Sequence, residues 1–210
     1  PVLDGSIGQT APPGGRGPWL QEDRREWSAA PTPPRTSVVH VFALGIDPGL
    51  SRCGYGAVRT TPSGPRAEAI GVIRTEPSLP LPARLAELQR ELRALIAELE
   101  PDVVAVERVF FQVNVRTAMS VGQASGLAMA EAFSAGCEVA QYSPNEVKLS
   151  VTGDGAANKE QVQLMVQRLL SLKAAPRPAD AADAAALALC HLAHAPTRMR
   201  QQAAIASVRP

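Results

Sequence analysis

The chain has 210 residues, 45% of them hydrophobic, enough for one core-bearing domain with tails, and its 21 basic and 20 acidic residues leave a formal charge of +1 that neither announces nor excludes a nucleic-acid partner. No apolar run approaches the ~20 residues needed to cross a bilayer, and the start lacks the basic-then-apolar order of a signal peptide, so a cytoplasmic protein with no membrane partner is expected. Cys53, Cys137 and Cys190 lie far apart without paired ligand spacing, which points to reduced core thiols and away from disulfides or a zinc site.

Residues 1–37 are rich in Gly and Pro and cannot bury enough apolar area to offset ordering, so they are expected to form a disordered N-terminal extension. Val38 to Ile46 reads as a buried strand. Asp47-Pro48-Gly49 is a turn leading to a second strand, Cys53 to Thr60, and the Pro62 to Pro65 turn precedes a third, Arg66 to Thr75. Leu81, Leu85, Leu88, Leu92, Leu95, Ile96 and Leu99 recur at spacings of three and four between charged residues, the mark of an amphipathic helix packed on a sheet.

Val103 to Val106 is short and wholly apolar, as a central strand covered on both faces should be, and Glu107 closes it. Asn114 to Ala135 reads as a helix carrying small residues at Ala118, Gly122, Ser125 and Gly126, either to lie tightly on the sheet or to meet its own copy in a dimer. Glu138 to Tyr142 is a further strand. Ser143-Pro144-Asn145-Glu146 and Asn158-Lys159-Glu160-Gln161 both spell capping boxes, so helices start at Pro144 and Lys159 with a turn at Gly153-Asp154-Gly155 between them. A last helix runs from near Ala179 to about Ala195, and residues 196–210 are expected to be a flexible C-terminal tail. Strands alternating with helices in this way predict an α/β domain over residues 38–195.

Four acids stand beside apolar sequence, where an ionised carboxylate is costly unless paired or coordinating a cation. Asp47 ends the first strand and Glu107 the fourth. If those strands are parallel neighbours, as a β-helix-β crossover allows, both carboxylates emerge at one sheet edge. Asp180 and Asp183 are three apart in the first turn of the last helix and share a face. Packed against that edge, they would gather four oxygen donors of the kind that suits Mg²⁺ or Mn²⁺ and not zinc. Two such ions about 4 Å apart could activate water and stabilise the leaving oxygen of an in-line phosphodiester displacement. Taken singly, each acid has a plainer reading: Asp-Pro-Gly is an ordinary turn, Glu107 could pair with Arg108 or Arg116, and Asp180 could favour the positive end of its helix.

The ordered set Leu44-Gly45-Ile46-Asp47-Pro48-Gly49 with Gly54-Tyr55-Gly56, Val106-Glu107-Arg108-Val109-Phe110-Phe111 with Asn114, Gly122-Gln123-Ala124-Ser125-Gly126, and Ala179-Asp180-Ala181-Ala182-Asp183-Ala184 resembles the RuvC family of Holliday junction resolvases. The resemblance covers approximately residues 38–195. It implies an RNase H-like fold, a five-stranded mixed sheet flanked by helices, with Asp47, Glu107, Asp180 and Asp183 as catalytic and metal-binding carboxylates. Some members of the family carry histidine where this chain has Asp180, which makes Asp183 the firmer ligand. The resemblance further implies a Mg²⁺-dependent homodimer, with Mn²⁺ as substitute and two ions per site. Such an enzyme nicks two opposed strands of a four-way DNA junction, leaves ligatable 5′-phosphate and 3′-hydroxyl ends, and works with a RuvA-RuvB branch-migration complex.

By the same resemblance Phe110 stacks on an unpaired base near the junction centre, and Lys148 and Lys159 match basic positions near the DNA backbone. Asn114 and Arg116 are phosphate contacts by location. Two departures are the long N-terminal extension and the balanced charge, which requires Arg and Lys to be segregated to one face. The rival readings are a catalytically silent junction-binding protein, against which the intact acid set counts, and an actin-like ATPase fragment, for which the chain lacks a second lobe and a phosphate loop.

Overall fold

The computed structural model describes residues 41–108 and 115–208. Within them the elements follow the predicted order: β1 (Phe42–Asp47), β2 (Arg52–Thr61), β3 (Gly64–Arg74), α1 (Leu81–Leu99), β4 (Val103–Glu107), α2 (Val115–Ser134), β5 (Glu138–Tyr142), α3 (Pro144–Thr152), α4 (Lys159–Leu169) and α5 (Ala179–Val208). The strands form one mixed sheet in the order β3-β2-β1-β4-β5. β1 and β2 pair antiparallel, as do β2 and β3, whereas β1 and β4 are parallel neighbours with Ile46 opposite Val106. β4 and β5 are likewise parallel. The crossover from β3 through α1 to β4 is what brings the ends of β1 and β4 side by side.

Alternation along each strand assigns its side chains to two cores. Phe42, Leu44 and Ile46 of β1 and Val104 and Val106 of β4 pack with Leu88, Leu92 and Ile96 of α1 and with Ala124, Ala128 and Ala132 of α2. On the opposite face Ala43, Val103, Ala105 and Ala140 pack with Val147 and Val151 of α3, Val162 and Val166 of α4 and the alanine-rich run of α5. Burial on both faces is why the central strands read as continuous apolar runs. Both capping boxes form: Ser143 with Glu146, and Asn158 with Gln161. Among the described residues no helix is long and apolar enough to cross a membrane.

Among the described residues two boundaries differ from expectation by more than one residue. β3 begins at Gly64 and takes in Pro65, because β3 is an edge strand, where a missing N–H leaves no ladder bond unmade. The last helix does not stop near Ala195. Its backbone stays helical through Pro196 to Val208, because proline removes one backbone bond while the strong helix formers Met199, Arg200, Gln201, Gln202, Ala203 and Ala204 follow. The stretch expected to be a flexible tail is thus helical as far as Val208. The reading of residues 1–37 as an extension lies outside the described residues.

Candidate active site

Asp47 and Glu107 are the last residues of neighbouring parallel strands. Counting by twos from Ala43, and from Val103 through Ala105, puts both carboxylates on the face that α5 covers. α5 starts at Ala179 on that face, with Asp180 and Asp183 in its first turn and a half. The helix lies close because the residues beneath it have no side chains. A Cβ on Gly45 would overlap the Ala184 carbonyl oxygen, and one on Gly54, which pairs across from Asp47, would overlap the Asp180 carbonyl oxygen. Glycine there sets the approach of α5 to the strand ends.

The electrostatics follow from this proximity. Burial lifts the Asp47 carboxyl from its ordinary 3.8 to about 7; the charges of Glu107, Asp183 and Asp180 add to the rise, and Lys159 opposes it. Burial, then the Asp183 charge, raises Glu107 as well, again against Lys159. The helix acids are answered by cations. Lys159 Nζ lies 2.9 Å from Asp183 Oδ2, and Arg52 Nε lies 3.2 Å from Asp180 Oδ2. The bond to Asp183 in turn raises the Lys159 ammonium.

The structure therefore brings Asp47, Glu107, Asp180 and Asp183 into one electrostatic neighbourhood. Among the described residues, however, no three acidic, His or Cys side chains stand grouped so as to hold one metal ion. Two of the four carboxylates are turned toward cations instead. The donor chemistry nonetheless fits a divalent ion of the hard, oxygen-seeking kind, since every candidate ligand is a carboxylate and the ionised forms of two are disfavoured by burial and then by neighbouring charge, both of which such an ion would offset. The plainer pairings of these acids do not form with Arg108, whose guanidinium donates to the Gln141 carbonyl. Asp180 is tied to Arg52 besides lying in the first turn of its helix.

The other predicted contacts are scattered. Phe110 and Asn114 lie outside the described residues, and of Arg116 only the backbone, in the first turn of α2, is described. Lys148 is half-buried on α3. Lys159, expected beside DNA, opens α4 and points at Asp183. Sequence reasoning passed over Arg52. The signal was available, because Arg52, Gly54 and Gly56 alternate on β2 and so share the face against which α5 packs. Burial pushes the Cys53 thiol up to about 12 and Cys190 up to about 11, in keeping with core thiols that are not nucleophiles.

A family model described as crossover junction endodeoxyribonuclease RuvC matches residues 43–191. The chain belongs to the RuvC family. The RuvC protein of Salinispora arenicola is 56% identical over 162 residues, 77% of this chain and 93% of that protein. The RuvC protein of Syntrophomonas wolfei is 49% identical over 149 residues, 71% of this chain and 87% of that protein. Among solved structures, Thermus thermophilus RuvC in complex with a Holliday junction substrate is similar with a TM-score of 0.71 and 38% identity, covering 75% of this chain and 96% of that one. The five-stranded mixed sheet with flanking helices is thus the RNase H-like fold of RuvC enzymes, and membership removes the actin-like ATPase reading.

Proposed function

We propose that this RuvC-family chain is a structure-selective endonuclease that resolves four-way DNA junctions by paired, metal-dependent nicks, leaving 5′-phosphate and 3′-hydroxyl ends. The observation that supports the reading is the electrostatic coupling of Asp47 with Glu107, Asp183 and Asp180, which together with burial raises Asp47 to about 7. A structural role for such a cluster would be unfavourable, because unneutralised carboxylates cost folding energy.

In this reading Asp47, Glu107, Asp180 and Asp183 are the catalytic carboxylates and would hold Mg²⁺, or Mn²⁺ in its place, with two ions per site. Bound there, the ions would supply Lewis-acid activation of water and charge stabilisation at the leaving oxygen. The chain's own residues do the rest. β1 and β4 supply a rigid edge that fixes Asp47 and Glu107, and α5 carries the other two acids as a unit whose distance from the edge is set by Gly45 and Gly54. Lys159 and Arg52 hold Asp183 and Asp180 while the charge is otherwise unbalanced. Both cations are exposed enough to turn to a DNA phosphate once those acids are engaged elsewhere.

Junction contacts are assigned to Phe110, as a stacking aromatic, and to Asn114, Arg116, Lys148 and Lys159, as backbone contacts that weaken with salt. The working unit is a homodimer, so that two sites cut opposed strands. It acts in the cytoplasm beside a RuvA-RuvB branch-migration complex, with residues 38–195 as the nuclease domain and residues 1–37 dispensable for cleavage.

Cleavage of a synthetic four-way junction in Mg²⁺, comparing wild type with Asp47→Asn and Glu107→Gln, tests the reading. Loss of cutting with junction binding retained supports it. Unchanged cutting shows the site to be wrong, and wild-type binding without any cutting makes the protein a silent junction binder.

A further inference from the structure

Asp180 and Arg52 also line a cleft of about 590 Å³, most of whose lining the proposed chemistry leaves unused. Its lining comes from the β1–β2 turn with Ser51 and Arg52, the first turn of α1 with Arg84, the first half of α2 with Gln123, and Asp180 of the four acids. Two guanidinium groups thus line one hollow.

Arg84 is held in place before anything binds. Its Nε donates to Thr75 Oγ1 at 3.1 Å and an Nη to Ser51 Oγ at 2.7 Å, while the buried Thr75 hydroxyl donates to the Leu50 carbonyl at 2.6 Å. These partners are neutral hydroxyls, so they orient the group without cancelling its charge. Among the described residues no carboxylate comes within ion-pair distance of Arg84, and Glu76 acts on it only from further away. Arg52 is different: its side chain is 57% exposed and its charge is answered by Asp180.

We propose that this cleft is a phosphate-binding subsite for the backbone of the DNA strand as it leaves the four-acid site, with Arg84 as the fixed contact and Arg52 as the contact shared with Asp180. The proposal rests on the nuclease reading above. With Nε and one Nη bonded to Thr75 and Ser51, the remaining N–H groups of Arg84 are left to donate to the oxygens of a phosphodiester. An arginine already immobilised by protein hydroxyls gives up little rotamer entropy on binding. Contacts of this kind set register and carry no sequence preference.

The test is anisotropy titration of a labelled four-way junction in EDTA, so that nothing is cut, over a range of salt. Arg84→Gln and Arg52→Gln should each weaken binding several-fold and reduce the slope of log affinity against log salt by about 0.7 to 0.9, the loss of one phosphate contact. Because Arg84 also ties the β1–β2 turn to α1, Gln123→Glu serves as a second probe: it puts a negative charge on a half-exposed wall and should weaken binding most at low salt. Melting curves establish that each variant is folded. Folded arginine variants with unchanged affinity and slope overturn the subsite. So does a Gln123→Glu variant that alters the sedimentation of the free protein and not its DNA affinity, since that wall would then be a contact between copies. If wild type cuts junctions while the variants bind normally, the subsite alone falls; if wild type binds no junction, the nuclease reading falls with it.

Discussion

Replacing Asp47 by Asn should make the metal-free protein more stable while abolishing cleavage. In the folded chain the Asp47 carboxyl titrates at about 7 against an ordinary 3.8. A shift of about 3 units at ~1.4 kcal/mol per unit sets an upper bound of roughly 4 kcal/mol on the cost of ionising it in place. Asp47 is only half-buried, and water at the sheet edge screens its neighbours, so the realised gain on substitution should be about 1 to 2 kcal/mol. For a domain of this size that corresponds to a rise in Tm of roughly 2 to 8 °C.

The sign with pH is fixed by the direction of the shift. The folded-state value lies above the unfolded one, so the unfolded chain releases this proton first, and wild type loses stability as pH rises from about 4 to about 7. The gap between Asp47→Asn and wild type should therefore be absent near pH 4, open through that interval and stay level above it. Added Mg²⁺ should raise the Tm of wild type and move the variant much less. Differential scanning calorimetry with EDTA or Mg²⁺ across pH 4 to 8 reads all of this. An Asn variant no more stable than wild type at pH 8 in EDTA would refute the claim that Asp47 is ionised against burial and charge repulsion.

Three substitutions test the scaffold. Gly54→Ala drives a Cβ into the Asp180 carbonyl; it should cost about 1 to 3 kcal/mol in melting experiments and reduce cleavage more than junction binding, since it displaces the start of α5. Glu131 is almost fully buried between α1 and α2, where it accepts bonds from Arg93 at 2.8 and 2.9 Å and from Gln89 at 2.6 Å; Glu131→Gln should cost about 1 to 2 kcal/mol by urea denaturation, with little change in cleavage by the folded fraction. Leu92→Ala empties a fully buried position in the α1 core and should cost about 2 to 5 kcal/mol, again read by urea.

The fold was legible because its signals are local and redundant. The leucine spacing of α1, the two capping boxes and the all-apolar β4 each name their element without help from the rest of the chain. The acids could be gathered on paper because Asp47 and Glu107 end parallel strands and Asp180 opens a helix. Distances between remote residues have no such signal. The pairing of Lys159 with Asp183, 24 residues away along the chain, and of Arg52 with Asp180 depends on how closely α5 sits on the sheet. That approach is encoded in the absence of side chains at Gly45, Gly54 and Gly56. The run of α5 past Pro196 was hidden for the opposite reason: a local breaker is outweighed by the helix formers that follow it.

The two ion pairs also bear on how the site is kept ready. Were all four carboxylates ionised, the acids with Arg52 and Lys159 would carry a net charge of minus two. With both cations turned away, the same acids would present minus four, enough to balance two divalent ions. If Asp180 and Asp183 are metal ligands as proposed, Arg52 and Lys159 would compete with metal for them, and by linkage anything that draws the cations off should tighten metal binding, while metal should favour their release toward DNA. Calorimetric titration of the DNA-free protein with Mg²⁺ should therefore show tighter binding by Arg52→Gln and by Lys159→Gln than by wild type, by a few-fold each, since exposed pairs of this kind contribute about 1 kcal/mol or less. The same variants should bind the junction more weakly, because each gives up a cation for phosphate. Metal binding that weakens on either substitution would mean that these cations help to build the ion site, and the competition would be refuted.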